Sequence, residues 1–334
     1  MPGSPDPARS REKRAAGVSY LPDPWSRRGA LPLDGVLERG GGLAPWLAAL
    51  LGLVGAFIAF QVVGAVVTGG LLFVRGGAGG APEPGMDGAA VQQLIAPADI
   101  IIGNSVGQVL GLALPVVLMA WLHSTRRRGF LRLRRAPWAA VGLALLGMAG
   151  LQPVVGALMQ LNGQLPLPEF FQQLEEMRMG VIRQVLESGL GPTVNLLGLA
   201  LVPAFCEELL FRGYAQRQLE RSTGAAWGVA LSGILFGLYH LSPAQVLPLS
   251  VLGFYLAYLT WRTGSLWPAV LVHFANNAFS VAGAELATAR SDLSLDEVEV
   301  TAWPWYAVAG GLVLFAAAVF LLHTRAPRWQ PAGE

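Results

Sequence analysis

The sequence places a small set of chemically active side chains inside otherwise apolar stretches. Glu207, Glu208 and Arg212 occur in one such stretch, and His240 and His273 occur in two later ones. An ionisable group in an apolar span is costly to bury, so each of these needs a function or a partner. One carboxylate and two imidazoles can hold a water molecule and remove a proton from it, which is general-base hydrolysis.

Helix geometry gives the two adjacent glutamates different roles. Glu208 and Arg212 are at positions i and i+4, with the acid first, and should form an ion pair on one helix face. Glu207 is turned about 100° away from Glu208 and has no such partner in its own helix. We therefore expect Glu207 to face a polar cavity and to act as the general base.

Hydrogen-bond donors for a developing oxyanion can come from the same region. Asn277 follows His273 by one helical turn, so both side chains lie on one face. Such donors are each worth roughly 3–4 kcal/mol in a site shielded from water. Neither Ser242 nor Cys206 has a companion base that would make it a nucleophile. The predicted reaction is hydrolysis of an amide by activated water, without an acyl-enzyme.

The composition indicates that these residues are carried by membrane-spanning helices. Of the 334 residues, 53% are hydrophobic and 13% are charged, about half the roughly 25% charge of soluble domains. This excludes a soluble enzyme, a disordered chain and a nucleic-acid binder. We predict an all-α polytopic bundle of about eight transmembrane helices. The predicted spans are 43–74, 100–122, 138–160, 193–212, 225–240, 245–261, 265–284 and 302–323.

Three regions follow from this pattern. Residues 1–40 are rich in Pro, Gly and Arg and are predicted to be a disordered cytoplasmic tail. Residues 41–325 form the membrane domain, and residues 326–334 a short C-terminal tail. Within the membrane domain, residues 166–190 alternate apolar and charged side chains at helical spacing, which predicts an amphipathic helix on the outer surface. The fifth span is short, and we expect it to end before Pro243, at mid-membrane.

Arginines give the expected orientation. With eight spans, nearly every basic cluster falls on one side, including residues 126–135, 212–221 and 325–328. The acidic residues near 83–87, 169–187 and 292–299 collect on the other side. By the positive-inside rule, both termini should be cytoplasmic in a cell membrane.

Three short motifs resemble those of the CAAX protease and bacteriocin-processing (CPBP, or Abi) family of intramembrane proteases. Residues 207–213 (EELLFRG) are similar to its EExxxR motif. Residues 236–240 (FGLYH) and 273–277 (HFANN) resemble its FxxxH and HxxxN motifs. The resemblance covers about residues 195–282, and the first three spans carry no signature.

The resemblance implies that Glu207 is the catalytic base and that His240 holds the attacking water. It also implies that His273 and Asn277 are the oxyanion donors. Glu208 and Arg212 would form the supporting ion pair. The resemblance further implies a peptide or protein substrate in or at the lipid bilayer, and no nucleic-acid partner. Eukaryotic relatives remove the last three residues of prenylated CAAX proteins, whereas bacterial members are linked to peptide processing and self-immunity.

Two questions remain open at the level of sequence. A carboxylate and two imidazoles could also bind catalytic zinc, through Glu207, His240 and His273. We favour a metal-free mechanism, and no HExxH motif is present. The alternative functions are a non-catalytic peptide-binding or immunity protein and a proton-coupled transporter, against which the absence of an inverted repeat counts.

Overall fold

The computed structural model describes residues 19–22, 30–76, 85–86, 88–289 and 303–325. Within these ranges the chain forms nine helices of 15 residues or more. They are α1 (Pro45–Gly76), α2 (Pro97–His123), α3 (Trp138–Gly163), α4 (Glu169–Leu186), α5 (Pro192–Thr223), α6 (Ala225–Tyr239), α7 (Val246–Thr263), α8 (Trp267–Ala289) and α9 (Trp305–Arg325). Shorter helices cover Val36–Gly41, Gly88–Leu94 and Arg127–Phe130.

The predicted fold class, an all-α polytopic membrane bundle, is confirmed. Each of the eight predicted spans corresponds to one long helix, and α4 is the predicted amphipathic helix. Five of the described helices, α1, α2, α3, α5 and α9, are long and apolar enough to cross a membrane. The helix α6 is apolar but only 15 residues long. It ends at Tyr239, so the expected break before Pro243 is also observed.

The N-terminal segment differs from the prediction. Ser19–Pro22 (β1) pairs antiparallel with Ala30–Leu33 (β2), and the prediction of disorder over residues 1–40 is wrong for residues 19–22 and 30–40. The physical reason is alternation along β2, which buries Leu31 and Leu33 against the bundle. Residues 1–18 and 23–29 lie outside the described residues, as do residues 326–334.

Glu38 links the N-terminal segment to two membrane helices. Glu38 Oε1 accepts hydrogen bonds from Arg221 Nη1 at 2.9 Å and from His123 Nδ1 at 2.6 Å. Burial alone would raise the pKa of Glu38, but these hydrogen bonds and the charge of Arg221 outweigh it and lower the pKa. The ionised carboxylate therefore links the end of α2 to the end of α5.

Several basic segments meet at one end of the bundle, here called the arginine end. Arg132, between α2 and α3, pairs with Glu220 near the end of α5. Arg132 also accepts, through its carbonyl, a hydrogen bond from the backbone of Leu266 between α7 and α8. Arg262 at the end of α7 donates to the carbonyl of His323 in α9. These contacts place the α2–α3 and α7–α8 connections and the C-terminal ends of α5 and α9 at the same end of the bundle.

Glycines let α1 and α2 approach closely. Gly103, Gly107 and Gly111 repeat at intervals of four residues along α2, so they lie on one face. A methyl group on Gly107 would lie 3.0 Å from the carbonyl oxygen of Phe60, and one on Gly111 would overlap the Phe60 backbone. Small residues at this spacing are typical of packed membrane helices.

We expect Gly111→Ala to destabilise the bundle, because the added methyl group would separate α1 from α2. The measurement is the thermal unfolding midpoint of the purified protein in detergent. The matched control is Gly55→Ala, since a methyl group there has no atom within 4 Å. The control should leave the midpoint unchanged or raise it, because alanine favours a helix by about 0.5–1 kcal/mol over glycine. Equal midpoints for the two variants would contradict the close packing.

Candidate active site

Glu207 faces two histidines from other helices. Its Oε2 lies 3.8 Å from Nε2 of His240, which directly follows α6, and 4.0 Å from Nε2 of His273 on α8. No side chain in the described part of the protein donates a hydrogen bond to this oxygen, although the atom is buried. The side chains of Glu207 and His240 are 17% and 29% exposed, so small molecules can reach them. Three of the predicted site residues are therefore brought together.

Behind this cluster lies a fully buried ion pair. Glu208 Oε1 accepts from Arg212 Nη1 at 2.9 Å, as the i,i+4 spacing predicts, and both side chains are 0% exposed. The same oxygen lies 2.9 Å from His273 Nδ1. Arg212 Nη2 donates to the carbonyl oxygen of Gly253 on α7, also at 2.9 Å. The pair thus connects α5 to both α7 and α8.

The partners of the imidazole Nδ1 atoms determine what the Nε2 atoms can do. His240 Nδ1 is 2.8 Å from the carbonyl oxygen of Phe236, which can only accept a hydrogen bond. His273 Nδ1 similarly faces the carboxylate of Glu208. Both Nδ1 atoms must therefore carry hydrogen, and in the neutral rings each Nε2 presents a lone pair toward Glu207. The Glu207 carboxylate oxygen and the two Nε2 lone pairs are three hydrogen-bond acceptors that face one another. A group that binds among them must therefore supply hydrogen-bond donors or positive charge.

Phe236 separates the two imidazoles and covers the arginine. Its ring makes edge contacts with His240 at 4.9 Å and His273 at 5.5 Å between centroids. The guanidinium carbon of Arg212 lies 4.4 Å from the centroid of the same ring. Phe236 is completely buried, so its size and position fix the distance between the two histidines.

Close packing of α6 against α7 brings His240 to its place. A methyl group on Gly233 would lie 2.8 Å from the backbone nitrogen of Phe254, and one on Gly237 would lie 2.5 Å from the carbonyl oxygen of Val246. A methyl group on Gly253 would lie 2.7 Å from the carbonyl oxygen of Gly233. These glycines are required because larger residues would push the two helices apart.

The turn that follows His240 has an unusual backbone. The next residue, Leu241, has φ of 51°, in the left-handed region that non-glycine residues rarely adopt. Asn162 at the end of α3 donates to the carbonyl oxygen of Pro243 at 2.6 Å. Ser242 donates to Glu175 of α4 at 2.9 Å. Ser242 therefore serves the turn and is not paired with His240.

Asn277 lies on the same helix as His273 but is held by other amides. Its Oδ1 accepts from Asn276 Nδ2 at 3.2 Å, and Asn276 Oδ1 accepts from Gln152 Nε2 at 3.2 Å. Sequence analysis missed Gln152, an amide in the middle of α3 directly before Pro153. The available signal was a polar side chain in an apolar span, but this amide is not ionisable and the sequence prediction rests on ionisable groups.

Glu207, His240 and His273 are the three side chains predicted to hold a zinc ion if one were bound. Within the described ranges, no group of three His, Cys, Asp or Glu side chains lies close enough to hold a metal ion. The distances of 3.8 and 4.0 Å between Glu207 Oε2 and the two Nε2 atoms exceed the roughly 3.3 Å expected between tetrahedral ligands on zinc. The three side chains as placed do not fit a tetrahedral zinc ion.

Comparison with known proteins adds an independent observation. Residues 189–279 match the family model of the Rce1-like type II CAAX prenyl endopeptidases. The resemblance to CAAX proteases is confirmed over this segment. The Rce1-like segment contains the clustered glutamates and histidines and Asn277, and it supports a protease. No match was found among curated proteins or among solved structures.

We expect the two adjacent glutamates to differ in their effect on stability. Glu208→Gln leaves the Arg212 cation buried without its counter-charge and should lower the free energy of unfolding by about 3 kcal/mol or more. Glu207→Gln removes an unpartnered carboxylate and should leave the stability equal or higher. Thermal unfolding of both variants in the same detergent compares them directly. A greater loss with Glu207→Gln would contradict the assigned roles.

Proposed function

We propose that this protein is an intramembrane endopeptidase that hydrolyses peptide bonds of membrane-associated or lipid-anchored peptides with a water molecule activated by Glu207. The observation that carries the proposal is the buried, unpartnered Oε2 of Glu207 facing two Nε2 atoms. A water molecule can bridge separations of this size, donating one hydrogen to the carboxylate and one to an imidazole. Its oxygen is then free to attack a carbonyl carbon.

The proposed reaction needs no covalent enzyme intermediate. Glu207 accepts a proton as the water oxygen bonds to the carbonyl carbon, and the carbonyl oxygen becomes an oxyanion. Collapse of this intermediate breaks the C–N bond, and the protonated Glu207 returns the proton to the leaving amine. The enzyme ends the cycle as it began, since one water molecule has been consumed and two products released.

His240 and His273 have different proposed roles. His240, whose Nδ1–H is used by the Phe236 carbonyl, offers its Nε2 lone pair to the water and holds it. His273 can donate to an oxyanion from Nε2 only when both ring nitrogens carry hydrogen. The Glu208 carboxylate at Nδ1 is placed to stabilise that cation. Asn277 supplies the second donor, from the same face of α8.

The protein is a multi-pass membrane protein, and we propose its orientation from the arginine end. This end faces the cytoplasm by the positive-inside rule, which places both termini there in a cell membrane. The substrate is a peptide or protein tail that enters from the bilayer, consistent with the name of the matched family. No nucleic-acid partner is involved.

We expect Glu207→Gln to abolish cleavage while expression and membrane insertion persist, because the amide cannot accept the proton. Membrane proteomes are incubated with purified wild-type or Glu207→Gln protein, and new peptide termini are identified by mass spectrometry. Termini that depend on the carboxylate support the protease. Identical termini from both proteins, or none from the wild type, would refute it. A phenotype retained by Glu207→Gln in cells would instead indicate a peptide-binding protein.

We propose a mechanism in which no zinc ion takes part. Purified active protein should then contain less than stoichiometric zinc by elemental analysis, and cleavage should persist after dialysis against a strong chelator. A chelator-treated sample to which zinc is returned controls for damage during treatment. One zinc ion per chain that is required for turnover would overturn the metal-free mechanism and leave the protease proposal in place.

A further inference from the structure

Three carboxamides form a directional chain between α3 and α8. Gln152 Nε2 donates to Asn276 Oδ1, and Asn276 Nδ2 donates to Asn277 Oδ1, each at 3.2 Å. The three side chains are partly buried, and Gln152 lies outside the Rce1-like segment. We call these residues the amide chain.

The direction of these hydrogen bonds sets the orientation of the last amide. An Asn side chain can turn over and exchange the places of its oxygen and its NH2 group at little steric cost. The orientation of the neighbouring hydrogen-bond partner decides between the two, and here Gln152 presents its NH2 group to Asn276. Gln152 as a donor requires Asn276 to present its oxygen, so the Asn276 NH2 group points to the Asn277 oxygen. The NH2 group of Asn277 donates to no other member of the amide chain.

We propose that Gln152 is a positioning residue for the oxyanion donor Asn277. It acts through Asn276, and it keeps the Asn277 NH2 group free to donate to the substrate carbonyl oxygen. This inference rests on the proposed function, because it assigns a purpose to the orientation of Asn277. A fixed donor matters since preorganised hydrogen bonds act on the transition state and not on the bound substrate.

One nearly isosteric substitution, Gln152→Glu, can reverse the donor-to-acceptor direction of the amide chain. In Gln152→Glu, the ionised carboxylate can only accept hydrogen bonds. Asn276 must then turn its NH2 group toward position 152 and its oxygen toward Asn277. Asn277 in turn donates to Asn276 and presents its oxygen toward the oxyanion. The link between α3 and α8 persists in this variant, but its direction is inverted.

The test is steady-state kinetics in proteoliposomes with a farnesylated, internally quenched CAAX peptide. For Gln152→Glu we expect kcat to fall by about tenfold to a hundredfold with KM within about twofold, since loss of one oxyanion donor costs about 10²–10³-fold in kcat. Gln152→Met, which removes the bond without adding charge, should also lower kcat. Gln164→Glu, an exposed position directly after α3, is the matched control and should retain wild-type kcat.

Two further readouts separate positioning from a merely structural bond. The kcat of Gln152→Glu relative to wild type should rise as the pH is lowered, because a protonated carboxyl group can donate again. In the Asn277→Ala background, Gln152→Glu should cause no further loss. If the Gln152–Asn276 hydrogen bond only linked the two helices, Gln152→Glu would keep wild-type kcat at every pH. That result would overturn the proposal. If wild-type protein cleaves no peptide, the proposed function itself fails and this inference with it.

Discussion

The buried ion pair between Glu208 and Arg212 is the interaction on which the site depends. Two opposite charges in an apolar bundle are better tolerated when further hydrogen bonds accompany the ion pair. Here Glu208 Oε1 also faces the imidazole of His273 on α8, and Arg212 Nη2 donates to the carbonyl oxygen of Gly253 on α7. These contacts fix the positions of three helices. The fourth, α6, is fixed by the Phe236 ring against the guanidinium group.

This arrangement divides the two glutamates between structure and chemistry. Glu208 is fully buried and is paired through Oε1 with Arg212 and His273, whereas Glu207 is partly exposed and its Oε2 has no hydrogen-bond partner among the described residues. They are consecutive residues, so a single segment of α5 provides both. Segments of α5 with π-helical hydrogen bonding, Leu196–Leu201 and Leu209–Ala215, flank the pair on either side. Such interruptions of a regular helix are frequent at functional sites.

Features governed by local spacing could be predicted from the sequence. The i,i+4 relation paired Glu208 with Arg212, and Pro243 indicated where α6 would end. Features that depend on distant parts of the chain could not. Gln152 contacts a residue 124 positions away, and the burial of Leu31 depends on helices formed later in the chain. The catalytic assignment of the site residues stays a prediction, because geometry alone does not test it.

The shortness of α6 has a consequence for the surrounding lipid. Its 15 residues rise only about 22 Å, less than the roughly 30 Å thickness of the hydrocarbon layer. The polar turn at its end is therefore held below the level of the headgroups unless the bilayer thins around it. Thinning next to this turn would bring headgroup water down to His240. The acyl-chain length of the surrounding lipids therefore influences how much water reaches the interior of the protein.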